Sequence, residues 1–212
     1  MTRTLKTLAA TAALATSLAV GACSSNDTTS GHQMPGDSMT AMGSAPATPS
    51  GAASAASAHN QADITFASSM VPHHQQAIEM ADLAQRQATS ADVKKLATQI
   101  KAAQDPEIAT MTGWLTSWGA APMPSGDHDM DGMSMDGMMS AEEMSALEKA
   151  SGSGFDRMWL QLMIKHHEGA VTMARTQLSQ GQSGDAKELA QAVIDGQTKE
   201  IATMTELLKT SL

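Results

Sequence analysis

The chain has 212 residues, among them 18 Met, 7 His, one Cys, two Phe and three Trp, and it has no Tyr. Its 13 basic and 22 acidic residues give a formal charge of −9, which argues against a nucleic-acid partner because such binding depends on neutralising phosphates. One cysteine excludes an intramolecular disulfide, a CxxC redox pair and a four-thiolate zinc site, so any soft-metal chemistry must come from Met and His.

The N-terminus has the pattern of a bacterial export signal. Arg3 and Lys6 precede an uncharged run rich in Ala and Leu, which is shorter than the ~20 apolar residues that span a bilayer. Small residues then lead to Cys23, as in the cleavage site of bacterial lipoproteins, where the cysteine is acylated. We predict a lipoprotein signal peptide over residues 1–22 and a mature chain held by lipid on the extracytoplasmic face of the membrane. The alternative is an ordinary signal peptide with an incidental cysteine.

Residues 23–60 are dominated by Ser, Ala, Gly, Thr and Pro. Such a segment cannot bury enough apolar surface to offset its ordering entropy, so it predicts a flexible tether. Its few Met and His residues do not decide whether it binds metal.

An internal repeat organises residues 61–212, the predicted folded domain. The pattern Asp-x-x-aromatic-x-x-x-Met-x-x-His-His-x-x-Ala-x-x-Met-Ala begins at Asp63 and recurs at Asp156. The pattern Gln-x-x-Glu-Ile-Ala-Thr-Met-Thr begins at Gln104 and recurs at Gln197, with the same offset of 93 residues. The chain therefore holds two copies of one unit.

The first unit has the pattern of a helical hairpin. A helix is predicted from Asp63 to about Ala88, and Ser90 is placed to cap a second helix that ends near Trp118. Pro106 should interrupt and kink this second helix, because proline removes a backbone hydrogen bond.

The second unit repeats the hairpin. A capping box at Ser140 predicts a short helix before Gly152 and Gly154 break it, and Gly181 is placed as the C-cap of the next long helix. The final helix is predicted to start at one of two capping residues, Ser183 or Asp185. We therefore predict an all-α protein, an antiparallel four-helix bundle built from two repeated helical hairpins.

Helical periodicity places the repeated motif on one inward stripe of each first helix. A lone inward His is more often structural and a helical Met more often core filler, but four buried imidazoles flanked by thioethers lack partners that a metal ion supplies. In order of preference, the predicted ligands are His73, His74, His166 and His167, then Met70, Met80, Met163 and Met173, then Asp63 and Asp156.

The residue types indicate copper. Thioethers are soft ligands and mixed Met/His sets suit Cu(I), with Ag(I) as a possible alternative. Zinc more often recruits Cys or carboxylate ligands, and a di-iron bundle needs Glu-x-x-His motifs, which this sequence lacks. Six residues on the second helix of each unit share a face and are predicted to orient the histidines, although the two glutamates could equally be solvated or capping residues: Gln104, Glu107, Met111, Gln197, Glu200 and Met204.

The connector between the hairpins, residues 120–140, is rich in Met, Asp and Gly. Thioethers in a polar loop have no packing role, so we predict flexible capture of Cu(I) or Ag(I), against the alternative of an acidic linker with compositional drift. The predicted capture residues are Met123, His128, Met130, Met133, Met135, Met138 and Met139.

The doubled His-His motif and the Gln-x-x-Glu-Ile helix after it resemble the family called domain of unknown function 305, over roughly residues 60–212. The resemblance implies a ferritin-like four-helix bundle of bacterial secreted proteins and lipoproteins, some of them associated with copper binding and resistance. It supplies no reaction. Phe66 is matched by Trp159 and Pro72 by Lys165, so the two half-sites need not be equal.

These patterns together predict an extracytoplasmic copper-binding lipoprotein that buffers or carries Cu(I). Two alternatives stay open: a metal-dependent oxidoreductase that uses the same pocket, and a metal-free helical interaction module. The enzyme is less favoured because the sequence has no substrate-shaped motif and no separate general base. The partner protein and the number of ions are not predicted.

Overall fold

Five helices make up the part of the chain that the computed structural model describes, residues 58–123 and 136–210. They are α1 (Gln61–Gln87), α2 (Ala91–Trp118), α3 (Ala141–Lys149), α4 (Gly152–Gln180) and α5 (Gly184–Thr210). No strand occurs within these ranges.

The long helices form two hairpins, since α1 packs along α2 and α4 packs along α5. Contacts between α1 and α4 join the hairpins, and the short α3 lies against α4 with Leu147 buried in the core. The predicted all-α bundle of two repeated hairpins is therefore confirmed, with α3 as an addition to it. None of the described helices is both long enough and apolar enough to cross a membrane.

The helix starts follow local capping chemistry. Asn60 caps α1 in a reciprocal capping box with Asp63, so the helix begins slightly before the predicted position. Ser90 caps α2 as predicted, accepting a hydrogen bond from the Val93 backbone. At α5 the cap is Ser183, whose hydroxyl accepts from the backbone of Ala186.

Two expected helix breaks have different outcomes. The short helix α3 ends at Lys149, before Gly152 and Gly154, as predicted, but both glycines lie in the first turn of α4 and not in a longer break between the helices. Pro106 lies within α2, which continues to Trp118, because a single proline removes one hydrogen bond without removing the tertiary contacts of the helix.

Two buried aspartates hold the hairpins together. The Asp63 carboxylate, at the start of α1, accepts hydrogen bonds from the backbone of Gln182 and Ser183 in the turn between α4 and α5. Asp156, at the start of α4, accepts from the backbone of Thr89 and Ser90 in the turn between α1 and α2. Each hairpin therefore anchors the turn of the other, and α1 and α4 run antiparallel.

This arrangement corrects the prediction that Asp63 and Asp156 are metal ligands. Their carboxylate oxygens are occupied by backbone N–H donors at the ends of α1 and α4. Burial acts to raise the pKa of Asp63, but hydrogen bonds from Gln177 and the neighbouring backbone outweigh it and lower the pKa. The ionised carboxylate is thus a structural acceptor.

We expect Asp63→Asn and its counterpart Asp156→Asn to lower the free energy of unfolding by about 2–3 kcal/mol each, because the new amide meets buried N–H donors with too few acceptors. Urea denaturation measures this as a lower midpoint with an unchanged slope. The matched control is Asp195→Asn, since Asp195 is exposed and accepts a hydrogen bond from the side chain of Gln191 on its own helix. Equal midpoints for all three variants would contradict the anchoring role.

Candidate metal centre

Four fully buried histidines meet where α1 crosses α4. The ring centroids of His73 and His166 are 3.8 Å apart, with an angle of 39° between the ring planes. His74 lies 6.5 Å from His73, and His167 lies 6.3 Å from His166. The repeat therefore brings its two His-His pairs into one polar layer at the centre of the bundle.

Hydrogen bonds fix the tautomer of three of these rings. The Nε2 atoms of His74 and His167 each lie 2.7 Å from a carboxylate oxygen, that of Glu107 and Glu200 respectively. His73 Nε2 lies 3.1 Å from the backbone carbonyl oxygen of Asp136. A carbonyl or carboxylate oxygen can only accept, so Nε2 carries the hydrogen, and in the neutral ring Nδ1 then keeps its lone pair.

Those lone pairs have no partner among the described residues. The Nδ1 atoms of all four histidines are buried without a hydrogen bond, and so is Nε2 of His166. The side-chain amides of Gln104 and Gln197, at equivalent positions of the two repeats, are also buried and unpaired. Buried polar atoms without partners are unfavourable, so this layer is suited to hold a bound species that supplies them.

The two rings that meet at the crossing, those of His73 and His166, are held in their neutral form. Burial, followed by the influence of His74, lowers the pKa of His73 to about 3. Burial, followed by the influence of His73, lowers the pKa of His166 well below its ordinary value. Neutral imidazole is the form that binds a metal ion.

Thioethers lie on both sides of the histidine layer. On one side Met70 packs in a buried cluster with Met111 and Ala170. On the other side Met163 packs in a second cluster with Met204 and Ala77. Each methionine pair thus packs in an apolar cluster next to the histidine layer.

Met80 and Met173, the remaining methionines of the repeat, have unequal surroundings. Met80 is fully buried, and its carbonyl accepts a hydrogen bond from the Trp159 indole at 2.8 Å. Met173 is only partly buried and lines a surface groove between α1 and α4. The two halves of the repeat therefore differ at this position.

The connector is less uniform than its composition predicts. Met139 is buried in the core and is not a flexible capture residue, which corrects that prediction. Met138 is partly buried, and the Met123 sulfur accepts a hydrogen bond from Ser69. The other predicted capture residues, His128, Met130, Met133 and Met135, lie outside the described residues, as does Cys23.

A segment that the sequence pattern does not predict covers the histidines. Residues 136–139 cross α1 and α4, and Gln76 bonds to both the N–H and the carbonyl of Met139, at 2.7 and 2.9 Å. Gly137, with φ of 82°, packs backbone to backbone against Gly169. Gly169 was the available signal, because an isolated glycine inside a helix often has a packing reason.

Within residues 58–123 and 136–210, no three side chains of His, Cys, Asp or Glu are grouped closely enough to hold an ion by themselves. The thioethers beside the histidines are further donors in the same buried region. The available donor set is thus mixed imidazole and thioether, which is the type that soft monovalent ions prefer.

Comparison with known proteins gives a consistent family. A family model described as Domain of unknown function (DUF305) matches residues 63–208. The chain is similar to a DUF305 protein of Streptomyces coelicolor, provisionally described as secreted, with 36% identity over 70% of this chain and 92% of that chain and a TM-score of 0.64. No curated protein matches the sequence.

The chain is also similar to a protein named CopM. Its Cu(II)-bound form has 34% identity over 71% of this chain and 97% of that chain, with a TM-score of 0.61. Its Cu(I)-bound form has 33% identity over 69% and 95%, with a TM-score of 0.58. CopM structures with bound silver match as well.

We expect the ion-free protein to lose stability as the pH falls from about 6.5 to about 4.5. The unfolded chain takes up protons at histidine near pH 6.5, while His73 in the folded protein resists protonation until about pH 3. Each such histidine contributes up to about 1.4 kcal/mol per pH unit in this window. Urea denaturation at several pH values measures the slope.

The double variant His73→Gln/His166→Gln should flatten this slope, whereas the control His59→Gln leaves the histidine layer intact and should keep it. A stability that does not change over the same pH window would show that the two rings are not buried in neutral form.

Proposed function

The chain belongs to the DUF305 family, and we propose that it binds copper as cargo, in the form of Cu(I), and buffers or carries it outside the cytoplasm. CopM, a similar protein, has been solved with Cu(I), with Cu(II) and with silver. The proposal does not include a catalysed reaction.

One observation carries the proposal: the histidine layer offers buried nitrogen lone pairs that no described protein group satisfies. Glu107, Glu200 and the Asp136 carbonyl hold the Nε2 hydrogens of three rings. These hydrogen bonds fix the ring orientation and make the imidazoles better donors, as in many metal sites. Nδ1 is therefore the atom that we assign to the ion.

The neighbouring thioethers favour a soft ion over a hard one. Met70 and Met163, each one turn before the first histidine of its motif, are the proposed sulfur ligands. Met111 and Met204 belong to the same buried clusters and are the next candidates. Fully buried thioethers beside neutral rings stabilise Cu(I) or Ag(I), which need few ligands and no compensating negative charge. Zinc and iron find no such advantage here.

The location of the protein is part of the same proposal. We propose that residues 1–22 are removed as a lipoprotein signal, that Cys23 carries the lipid, and that residues 24–60 tether the bundle to the membrane. The capture of ions by the Met-rich connector is proposed on its composition alone.

We expect His73→Gln/His74→Gln/His166→Gln/His167→Gln to weaken Cu(I) binding to the bundle at least about tenfold, since loss of a good ligand interaction exceeds about 1.4 kcal/mol. Titration of the purified protein against a competing Cu(I) chelator measures the affinity and the number of ions. Circular dichroism of each variant checks that the helices remain.

The matched control is His59→Gln, because His59 stacks on Trp118 away from the histidine layer. Deletion of residues 124–135, which leaves the buried Met139 in place, separates the ions held by the connector from those in the bundle. Unchanged affinity and stoichiometry in the quadruple variant would refute the bundle site. A wild-type protein that binds no Cu(I) would favour the metal-free interaction module.

A second test concerns the anchor. In a bacterial host, the wild-type chain should incorporate a labelled fatty acid and fractionate with membranes, and Cys23→Ser should do neither. Cys23 is the only cysteine of the chain, so the label reports on this residue alone. Labelling of the variant, or membrane association that survives the substitution, would contradict the proposed lipid attachment.

A further inference from the structure

A groove of about 370 Å³ lies between the first half of α1 and the second half of α4. Phe66 and Ser69 line it from α1, and Met173 and Thr176 line it from α4. Asp136 forms part of its wall. Its lining thus combines one accessible thioether with hydroxyl groups and a phenyl ring.

The equivalent region on the other side of the bundle is closed. The offset of 93 residues relates Phe66 to Trp159 and Met173 to Met80, and both of these partners are fully buried. They share a buried cluster with Leu147 of α3, a short helix that has no counterpart on the groove side among the described helices. The repeat alone would form two equivalent grooves. Because α3 packs on one side of the bundle, only the groove beside Met173 stays open.

The open groove leads to the histidine layer. Asp136 is shared, since it lines the groove while its carbonyl oxygen lies 3.1 Å from His73 Nε2. Ser69 is one helical turn before His73, and Met173 is one turn after Gly169, against which Gly137 packs. The backbone of residues 136 and 137 therefore stands between the groove and the buried rings.

This barrier is held by few and specific contacts. A Cβ on Gly169 would overlap the Asp136 backbone, and a Cβ on Gly137 would lie 2.6 Å from the Lys165 carbonyl. Gln76 fixes the other end through its two hydrogen bonds to Met139. Because residues 136–139 are not helical, the segment can move without unwinding a helix.

We propose that this groove is the entrance to the buried site: a soft monovalent cation, Cu(I) or Ag(I), first binds the Met173 thioether and reaches His73 and His166 when residues 136–139 swing aside. We call these four residues the latch. The inference rests on the proposed function, because it assumes that the histidine layer is the destination of the ion.

A competing entrance exists beside the second histidine of each pair. The side chains of Glu107 and Glu200, bonded to His74 and His167, are 20% and 19% exposed. A carboxylate is a hard ligand and attracts Cu(I) less than a thioether does, which favours the groove. Substitution of Glu107 provides the arm of the experiment that tests this route.

The experiment follows Ag(I) uptake by stopped flow and, separately, the reaction of the ion-free protein with diethyl pyrocarbonate, which modifies accessible imidazoles. Gln76→Ala should accelerate both roughly tenfold, because two lost hydrogen bonds make opening more frequent. Gly169→Ala should act in the same direction by keeping the latch from closing. Met173→Leu should slow Ag(I) uptake severalfold without changing the number of ions bound at equilibrium.

Each variant has a matched control. Gln85→Ala also removes a side chain with two hydrogen bonds, to Lys94 and Thr98, away from the groove. Gly196→Ala adds a Cβ where no atom lies within 4 Å. Met158→Leu changes a partly buried methionine that packs against the other cluster. All three controls should keep the wild-type rates.

The latch is refuted if Gln76→Ala and Gly169→Ala react with diethyl pyrocarbonate no faster than their controls. The groove as entrance is refuted if Met173→Leu takes up Ag(I) at the wild-type rate. It is also refuted if Glu107→Gln accelerates uptake and the latch variants do not. A wild-type protein whose histidines bind no ion would refute the proposed function instead, while the diethyl pyrocarbonate result would still decide whether the latch controls access.

Discussion

Four imidazoles in a fully buried layer are the constraint on which the remainder of this bundle depends. A buried ring nitrogen without a partner is unfavourable, and five of the eight in this layer have none among the described residues. The helices can hold such a layer because apolar clusters lie on both sides of it, one ending at Val71 of α1 and the other starting at Ala77. The apolar burial stabilises the fold, and the polar layer is where a bound ion would add stability of its own.

The repeat explains how a chain assembles this layer with few residues. Each hairpin brings one His-His pair and its own orienting glutamate, and the crossing of α1 and α4 puts His73 next to His166. The crossing is secured at both ends by Asp63 and Asp156, which accept from the opposite turns. A displacement of one hairpin along the other would break these anchors together with the histidine contact, so the geometry of the layer is coupled to the folding of the bundle.

The helical fold and the histidine layer follow from local information, which the sequence contains. The helical spacing of apolar residues and the capping residues define the four long helices. The doubled motif puts both His-His pairs on inward stripes. The role of Asp63 was not predictable in this way, because its partners Gln182 and Ser183 are far away in the chain and their backbone N–H groups leave no pattern in the sequence. Met139 was misjudged for the same reason, since its burial depends on Gln76 and α3 rather than on its polar neighbours.

The connector that links the two copies also makes them unequal, and this asymmetry has a physical consequence. A perfectly symmetric bundle would either cover both Met80 and Met173 or leave both accessible, so the histidines would be sealed on both sides or open on both. Here Met80 is fully buried in the cluster that contains Leu147 of α3, while Met173 remains in a groove whose wall includes Asp136 of the proposed latch. A site that holds an ion firmly and still releases it needs tightly packed helices around the ligands and one barrier that can move. Gly137 and Gly169 allow that barrier to lie directly against α4, where a side chain would have kept it away from the histidines.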